Sequence, residues 1–435
     1  MNGVKQMADL KEVKKVAVIG SGIMGSGIAQ AFLLGGYETV VLSDINDDAL
    51  EKSKESIEIV LKALEDEDKF KEYVTTHPFL GHFQNIDFKK LKADHKRVGL
   101  IADGLTAQKI MGRLVCETDL AKAVSDVDFV LEAVSERLDI KQAVFQQLGE
   151  LTPPHTVCAS NTSTLPVTEI ARLSKRPENA IGMHFHGFTQ AFNRLIEIMG
   201  GEKTSDAAQS IGQQVGESLP SVGGERLVIR LEKEAAGFIA NRIAAPLQIY
   251  STWLLDQARE QGISLEQLHA AGYDLRMGDF IGLDTVVNAT KSYHDHISSD
   301  FESAQLITEL FNEGKLGAKS GQGIFKWDDT GNPIIKDIQL GDKTLKFMRD
   351  NTDAELGLAM RMNEACRLLE MGVVKSYGVI TELERIGEGH EGIFELGIDK
   401  HTEWSEKLDA VAEKIGKSYI RPCEMMRSGK YKDYP

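Results

Sequence analysis

The sequence predicts an α/β fold followed by helical structure: a doubly wound, mainly parallel sheet, then two mainly helical repeats. Three observations carry this. Short β-branched runs alternate with helix-forming stretches up to about residue 230, the pattern of a sheet with crossover helices. After Glu232 apolar residues recur at helical spacing through Ile239, Ile243, Leu247 and Leu254-Leu255. The length of 435 residues exceeds what one core ordinarily holds, so two or three domains are expected.

Lys15 to Ile19 (KVAVI) reads as a strand buried on both faces. Ser26 to Leu34 is helix-forming, Gly35-Gly36 ends that helix, and Thr39 to Leu42 resumes a strand, completing a βαβ unit. The segment from Ala49 to about Leu114 is charged and helical in pattern, and its Lys/Glu-rich part over 51–97 reads as a solvated face. Further strands are predicted at Phe129 to Leu131, His155 to Ala159 and Ile181 to Phe185. The polar stretch Asp328 to Asp342 separates two helical segments with a faint internal repeat. Ile243 to Glu260 followed by GISLEQL resembles Leu358 to Glu370 followed by GVVKSYGVITEL. The expected domains are 1–231 (with a helical insertion over about 51–115), 232–330 and 345–435.

Composition narrows the function. A net charge of -16 argues against nucleic acid and anionic membrane surfaces as partners, since both need a basic footprint. No apolar run approaches the roughly 20 residues that span a bilayer. The N-terminal stretch has no apolar segment and carries acidic residues, so a cytoplasmic location is expected. Cys116, Cys158, Cys366 and Cys423 are scattered, which points to reduced thiols and to no metal site.

Gly20-Ser21-Gly22-Ile23-Met24-Gly25 follows a predicted strand and opens a predicted helix, the context of a Rossmann-like dinucleotide site. Gly20 permits the tight turn, Gly22 lets a pyrophosphate approach the backbone, and Gly25 lets helix and strand pack closely. The helix start offers unpaired N–H groups to phosphate, with the Ser21 hydroxyl as a further candidate donor. Asp44 lies 19 residues past Gly25, where a carboxylate accepts from a ribose diol and repels a 2′-phosphate. NAD is therefore the expected cofactor, in preference to NADP.

Two later blocks carry chemistry. Ala159-Ser160-Asn161-Thr162-Ser163-Thr164 follows a predicted strand, and another block runs from Gly182-Met183-His184-Phe185 to Leu195-Ile196-Glu197. Dehydrogenation of an alcohol needs a base for the hydroxyl proton. An imidazole polarised by a carboxylate suits that task.

At these residues the chain resembles the L-3-hydroxyacyl-CoA dehydrogenases. The shared blocks are the glycine loop, Glu132-Ala133-Val134-Ser135-Glu136 to Lys141, the S-N-T-S block, the G-x-H-F block with its carboxylate, Gly237-Phe238-Ile239-Ala240-Asn241-Arg242, and Gly314 to Phe325. The resemblance covers Lys15 to about Trp327. It implies His184 as general base with Glu197 as its partner, and Ser163 and Asn241 holding the substrate oxygen. It also implies Glu136 and Lys141 lining the cofactor site, beside Gly20, Gly22, Ile23, Met24, Gly25 and Asp44. The implied reaction is reversible NAD-dependent oxidation of an (S)-3-hydroxyacyl-CoA to the 3-ketoacyl-CoA in β-oxidation. An alicyclic, aromatic or branched acyl group is an alternative, and a non-catalytic NAD-binding homologue a second.

The chain also departs from that pattern. After His184 the family reads F-F-N-P, whereas this chain reads Phe185-His186-Gly187-Phe188. His186 becomes a rival base on the same strand face, and the G-x-H-F register favours His184. Where relatives place a Ser and a Lys against CoA, this register offers Val60 and Glu67. Lys52, Lys54, Lys62 and Lys69 stand as replacements with no choice among them. Asp279 replaces the Pro of an M-G-P turn.

Residues 350–435 resemble the second helical repeat of the bacterial fatty-oxidation multifunctional subunits, in Met362-Asn363-Glu364 to Gly372 and in the ending Lys430 to Pro435. A duplicated repeat can cover in cis the surface that short relatives use to dimerise. The expected partners are an acyl-CoA substrate, no nucleic acid and no membrane. The chain is expected as a monomer or a dimer through another surface, with association with other β-oxidation enzymes left open.

Overall fold

The computed structural model describes residues 13–77, 79–187, 189–328 and 331–435. Phe188 of the departing block and most of the N-terminal stretch lie outside them. The chain divides into two compact units, one running to Phe238 and including Glu382–His390, the other comprising Ile239–Thr381 and Glu391–Pro435.

The first unit is built on an eight-stranded sheet of order β3-β2-β1-β4-β5-β6-β7-β8. Its strands are β1 (Lys15–Ile19), β2 (Thr39–Ser43), β3 (Leu114–Glu117), β4 (Phe129–Glu132), β5 (Val157–Ser160), β6 (Ala180–Phe185), β7 (Leu195–Gly200) and β8 (Leu227–Arg230). All neighbours are parallel except β6 and β7. Strand order reverses between β1 and β4, and a doubly wound sheet binds its ligand in the crevice at such a reversal.

The central strands β1, β4, β5 and β6 are buried almost throughout, as their unbroken apolar runs predict. Strands β3, β7 and β8 are not among the predicted ones. β3 and β8 are half-buried edges, where the chain needs no continuous apolar run. β7 interrupts its apolar run with Glu197. Helix α1 (Ile23–Gly35) covers the sheet and ends on Gly36 at φ 90°. The charged segment behind it forms α2 (Asp47–Glu65), α3 (Glu67–Thr76) and shorter helices. It is more than a solvated face: Leu50, Ile57, Val60, Leu61, Leu64, Phe70 and Val74 enter the core from one side of these helices.

In the second unit, the helix Ala240–Glu260 packs on the helix Ala354–Glu370, and each is followed by a break and a short helix, Leu265–Ala270 and Tyr377–Glu382. Arg242 donates through Nε to Glu364 at 2.5 Å, and Arg367 and the Tyr419 hydroxyl meet the same carboxylate at 2.9 and 2.7 Å. Burial works against this cluster, yet the two guanidiniums and the hydroxyl hold the Glu364 carboxyl below its usual range. Asp279 explains its departure from proline. It is fully buried and accepts from the N–H groups of Ile324 and Phe325 and from Trp327 Nε1, at 2.7, 3.0 and 2.7 Å. The glycines around it make a turn: a Cβ on Gly323 would meet an Asp279 oxygen at 1.9 Å. No helix among the described residues is long and apolar enough to cross a membrane.

Candidate active site

The glycine loop connects β1 to α1 at the strand-order reversal. Gly20 has φ 101°, a backbone that side chains avoid, and a Cβ there would meet the Ala133 carbonyl at 2.7 Å. A Cβ on Gly25 would stand 1.8 Å from the Gly20 carbonyl oxygen, so the helix starts hard against the strand. Gly22 is different. It is the helix N-cap with no side-chain cap, and a Cβ on it would meet nothing within 4 Å. Open space over an uncapped helix start is what a pyrophosphate requires, so the residues present fit NAD. Asp44, just past β2, accepts from the Ser21 N–H and hydroxyl at 2.8 and 2.9 Å. The Ser21 hydroxyl is thus turned to Asp44, which it fixes beside the loop. Ile23 is 64% exposed, and Met24 packs against Gln190.

Glu136 and Lys141 follow β4. Lys141, which the family resemblance assigns to the cofactor site, has a side chain only 1% exposed. Its ammonium lies 2.7 Å from Glu132 and 3.4 Å from Glu136. Glu136 accepts from the N–H groups of Ser163 and Thr164, both at 2.9 Å, and from the Thr162 hydroxyl at 2.7 Å. Burial disfavours its charge, but Lys141 and these donors outweigh that and hold its carboxyl below the usual range. Burial likewise opposes the Lys141 charge, and the two glutamates overcome it and raise its pKa. This triad sets the loop carrying Ser163. The Ser160 hydroxyl adds a 2.6 Å bond to Glu132, and Asn161 Oδ1 takes the Phe185 N–H at 2.9 Å, tying the loop to the end of β6.

His184 and Glu197 come together through sheet register. They are direct partners across the antiparallel β6–β7 pair, with His184 Nδ1 2.8 Å from Glu197 Oε2 and both side chains buried. A carboxylate on Nδ1 fixes the imidazole's orientation and assigns proton exchange to Nε2. The Phe238 ring packs against His184 at 5.1 Å between centroids. Phe238 holds φ 55°, a strained value for a side chain of its size. A Cβ on Gly182 would stand 2.8 Å from that ring, which accounts for the glycine two residues before the histidine. Phe238 was legible as a motif letter but not as a wall of the site. His186 projects from the same edge, its ring 6.0 Å from that of His184 and nearly perpendicular to it. Asn241 lies in the other unit, in the first turn of Ala240–Glu260.

A cavity of about 360 Å³ opens beside the glycine loop, between α1, α2, α3 and residues 189–192. Of the four candidate lysines, Lys52 lines it; Lys54 and Lys62 pair with Glu51 and Glu58 along α2. Tyr73, His77 and Phe192 form an aromatic wall. Two glutamines on its lining, 5% and 1% exposed, hold polar atoms with no hydrogen-bond partner, Gln30 Nε2 and Gln190 Oε1. Val60 and Glu67 offer no replacement: Val60 is buried and Glu67 pairs with Lys71.

Comparison with known proteins settles the family. Residues 15–223 match the NAD binding domain of 3-hydroxyacyl-CoA dehydrogenase, and residues 237–327 match its C-terminal domain. The chain belongs to the 3-hydroxyacyl-CoA dehydrogenase family. It is 31% identical over 322 residues to the mitochondrial hydroxyacyl-coenzyme A dehydrogenase of Mus musculus, covering 72% of this chain and 91% of that one. A probable 3-hydroxybutyryl-CoA dehydrogenase of Deinococcus radiodurans is 30% identical over 319 residues, covering 72% and 100%. The structure of 3-hydroxybutyryl-CoA dehydrogenase from Escherichia coli has the same fold, with a TM-score of 0.66 over 96% of this chain and 98% of that one at 23% identity. As a member of this family the chain is an NAD-dependent oxidoreductase acting on 3-hydroxyacyl-CoA.

Proposed function

We propose that His184 removes the C3 hydroxyl proton of an (S)-3-hydroxyacyl-CoA, with Glu197 holding the ring and steadying its positive charge. The 2.8 Å pair on adjacent strands is the observation that supports this most directly. Bound NAD supplies the hydride acceptor, seated on Gly20 to Gly25 with its adenosine ribose on Asp44. Ser163, on the loop set by Glu136, orients the hydroxyl oxygen, a role that the family resemblance also gives to Asn241. The glutamine-lined cavity takes the pantetheine arm of CoA, whose amides offer the acceptor and donor that Gln30 and Gln190 lack, and Lys52 faces its phosphates. The reaction belongs to acyl-CoA β-oxidation.

The test is NADH formation with 3-hydroxyacyl-CoA thioesters. His184→Ala should lower kcat by roughly 10²–10⁴, the usual worth of a general base. An unchanged rate in His184→Ala with loss in His186→Ala would transfer the role to His186. For assembly we infer a chain that covers its own repeat. The packing of Ala240–Glu260 on Ala354–Glu370, with Arg242 on Glu364, supports this. Light scattering should give a monomer, or a dimer through another surface.

A further inference from the structure

Residues 382–390 lie beyond both matched family regions, yet they fall within the NAD-binding unit. The chain there runs as a π-helical stretch, Leu383–Glu388, that ends on Gly389 at φ 80°. Such widened turns are rare and concentrate at functional sites. Leu383 and Glu384 are buried. Gly387 rests on the start of β7, where a Cβ would stand 2.9 Å from Leu195 Cδ2, so a larger residue would lift the segment. Glu388 is thereby delivered to the end of β6. Its Oε1 lies 4.0 Å from His186 Nε2, and its Oε2 lies 2.7 Å from His390 Nε2. His186 is itself the residue at which this chain leaves the family's F-F-N-P block.

We propose that His186 and Glu388 form a second imidazole–carboxylate pair that selects an acyl group bearing a neutral oxygen function, a hydroxyl or ketone, close to the reacting carbon. This rests on His184 being the base. A hydroxyl held by His184 places the atoms flanking C3 within reach of a ring 6.0 Å away. The His186 side chain is 28% exposed against 4% for His184, so it has surface to offer a substrate. Glu388 lies within ion-pair reach of the imidazole, and a polar edge of this kind repays a substrate that hydrogen-bonds to it and penalises plain alkyl. Glu388 disfavours an anionic acyl tail by like charge.

The experiment measures kcat/KM on the full-length protein with 3,5-dihydroxyhexanoyl-CoA, 3-hydroxyhexanoyl-CoA and 3-hydroxyadipyl-CoA. The first two differ by one hydroxyl. Wild type should prefer the dihydroxy substrate by about tenfold or more, the worth of one good hydrogen bond to a charged or polarised group. The adipyl substrate should be the slowest. Glu388→Gln and His186→Phe should bring the first two substrates near parity. Gly387→Ala, which keeps the carboxylate but displaces it, should do the same. Loss of rate on both substrates at an unchanged ratio, or a wild type without preference, overturns the proposal. Glu384, Glu388 and His390 also place ligand atoms within 4.8 Å of one another. A preference that survives EDTA supports the hydrogen-bonding role, and one abolished by EDTA and restored by Zn²⁺ overturns it in favour of a cation. Loss of all activity in His184→Ala leaves the underlying reaction intact; full activity there refutes that reaction scheme instead.

Discussion

Two histidine–carboxylate pairs stand at the end of β6, and they are made in different ways. His184 and Glu197 are 13 residues apart, joined by the register of neighbouring strands, and buried. His186 and Glu388 are joined across some two hundred residues by a π-helical segment, at 4.0 Å, with the imidazole partly open. The first pair has the rigidity that proton transfer needs, since a sheet holds opposed side chains at a set spacing. The second has the looser, more exposed geometry of a group that meets a variable part of a substrate. The first pair is thus made by local sheet geometry, and the second by a segment outside the two matched family domains.

This contrast can be broken by substitution. The largest rate effect should come from the strand-registered pair: Glu197→Gln keeps the shape but removes the charge, and should lower kcat by about 10²-fold with little change in KM. A loss as large from Glu388→Gln on 3-hydroxyhexanoyl-CoA would erase the distinction.

Next in size is the triad that sets the Ser163 loop. Lys141→Met leaves Glu132 and Glu136 without their cation and should cost about 3–5 kcal/mol in urea unfolding. The sign with pH is defined. The Glu136 carboxyl is held low, so its stabilisation is complete above the ordinary glutamate pKa, about 4.3, and is lost as pH falls through its folded value. The Lys141 pKa is held high, so its contribution is complete below about 10.4 and is lost as pH rises through its folded value. The stability difference between wild type and Glu136→Gln should therefore be flat across neutral pH and shrink at the acid end.

The smallest effect should come from the cavity. Gln190→Leu removes the unpartnered Oε1 from the cavity lining together with the Nε2 that bonds the Gly187 carbonyl, on a binding surface taken as the same in ground and transition states. It should raise KM for acyl-CoA by roughly three- to tenfold with kcat retained. A change in kcat alone would place the cavity in the chemistry instead.

Much of this was legible in the residues because it depends on short-range rules. The βαβ unit, the glycine loop and Asp44 follow from strand length, helix start and the conformational needs of Gly20. The buried central strands announce themselves as apolar runs. The edge strands β3 and β8 do not, because an edge is half solvated, and the apolar run of β7 is broken by Glu197. The burial of Lys141 is not legible either, because a motif letter carries none. The structure turns it inward, where two carboxylates offset its desolvation.

What the sequence by itself determined is the NAD-binding βαβ unit with its glycine loop, and the order of sheet then helices. Each is set by residues near in sequence or by strand periodicity. Only the tertiary structure decided which of four lysines faces the cavity, that Gln30 and Gln190 both line it, that Phe238 packs on His184, and that Glu388 comes within 4.0 Å of His186. Those contacts join segments that no local propensity links. They exist because burying the apolar faces of helices and sheet brings distant chain together, and Gly182 and Gly387 leave the room for it.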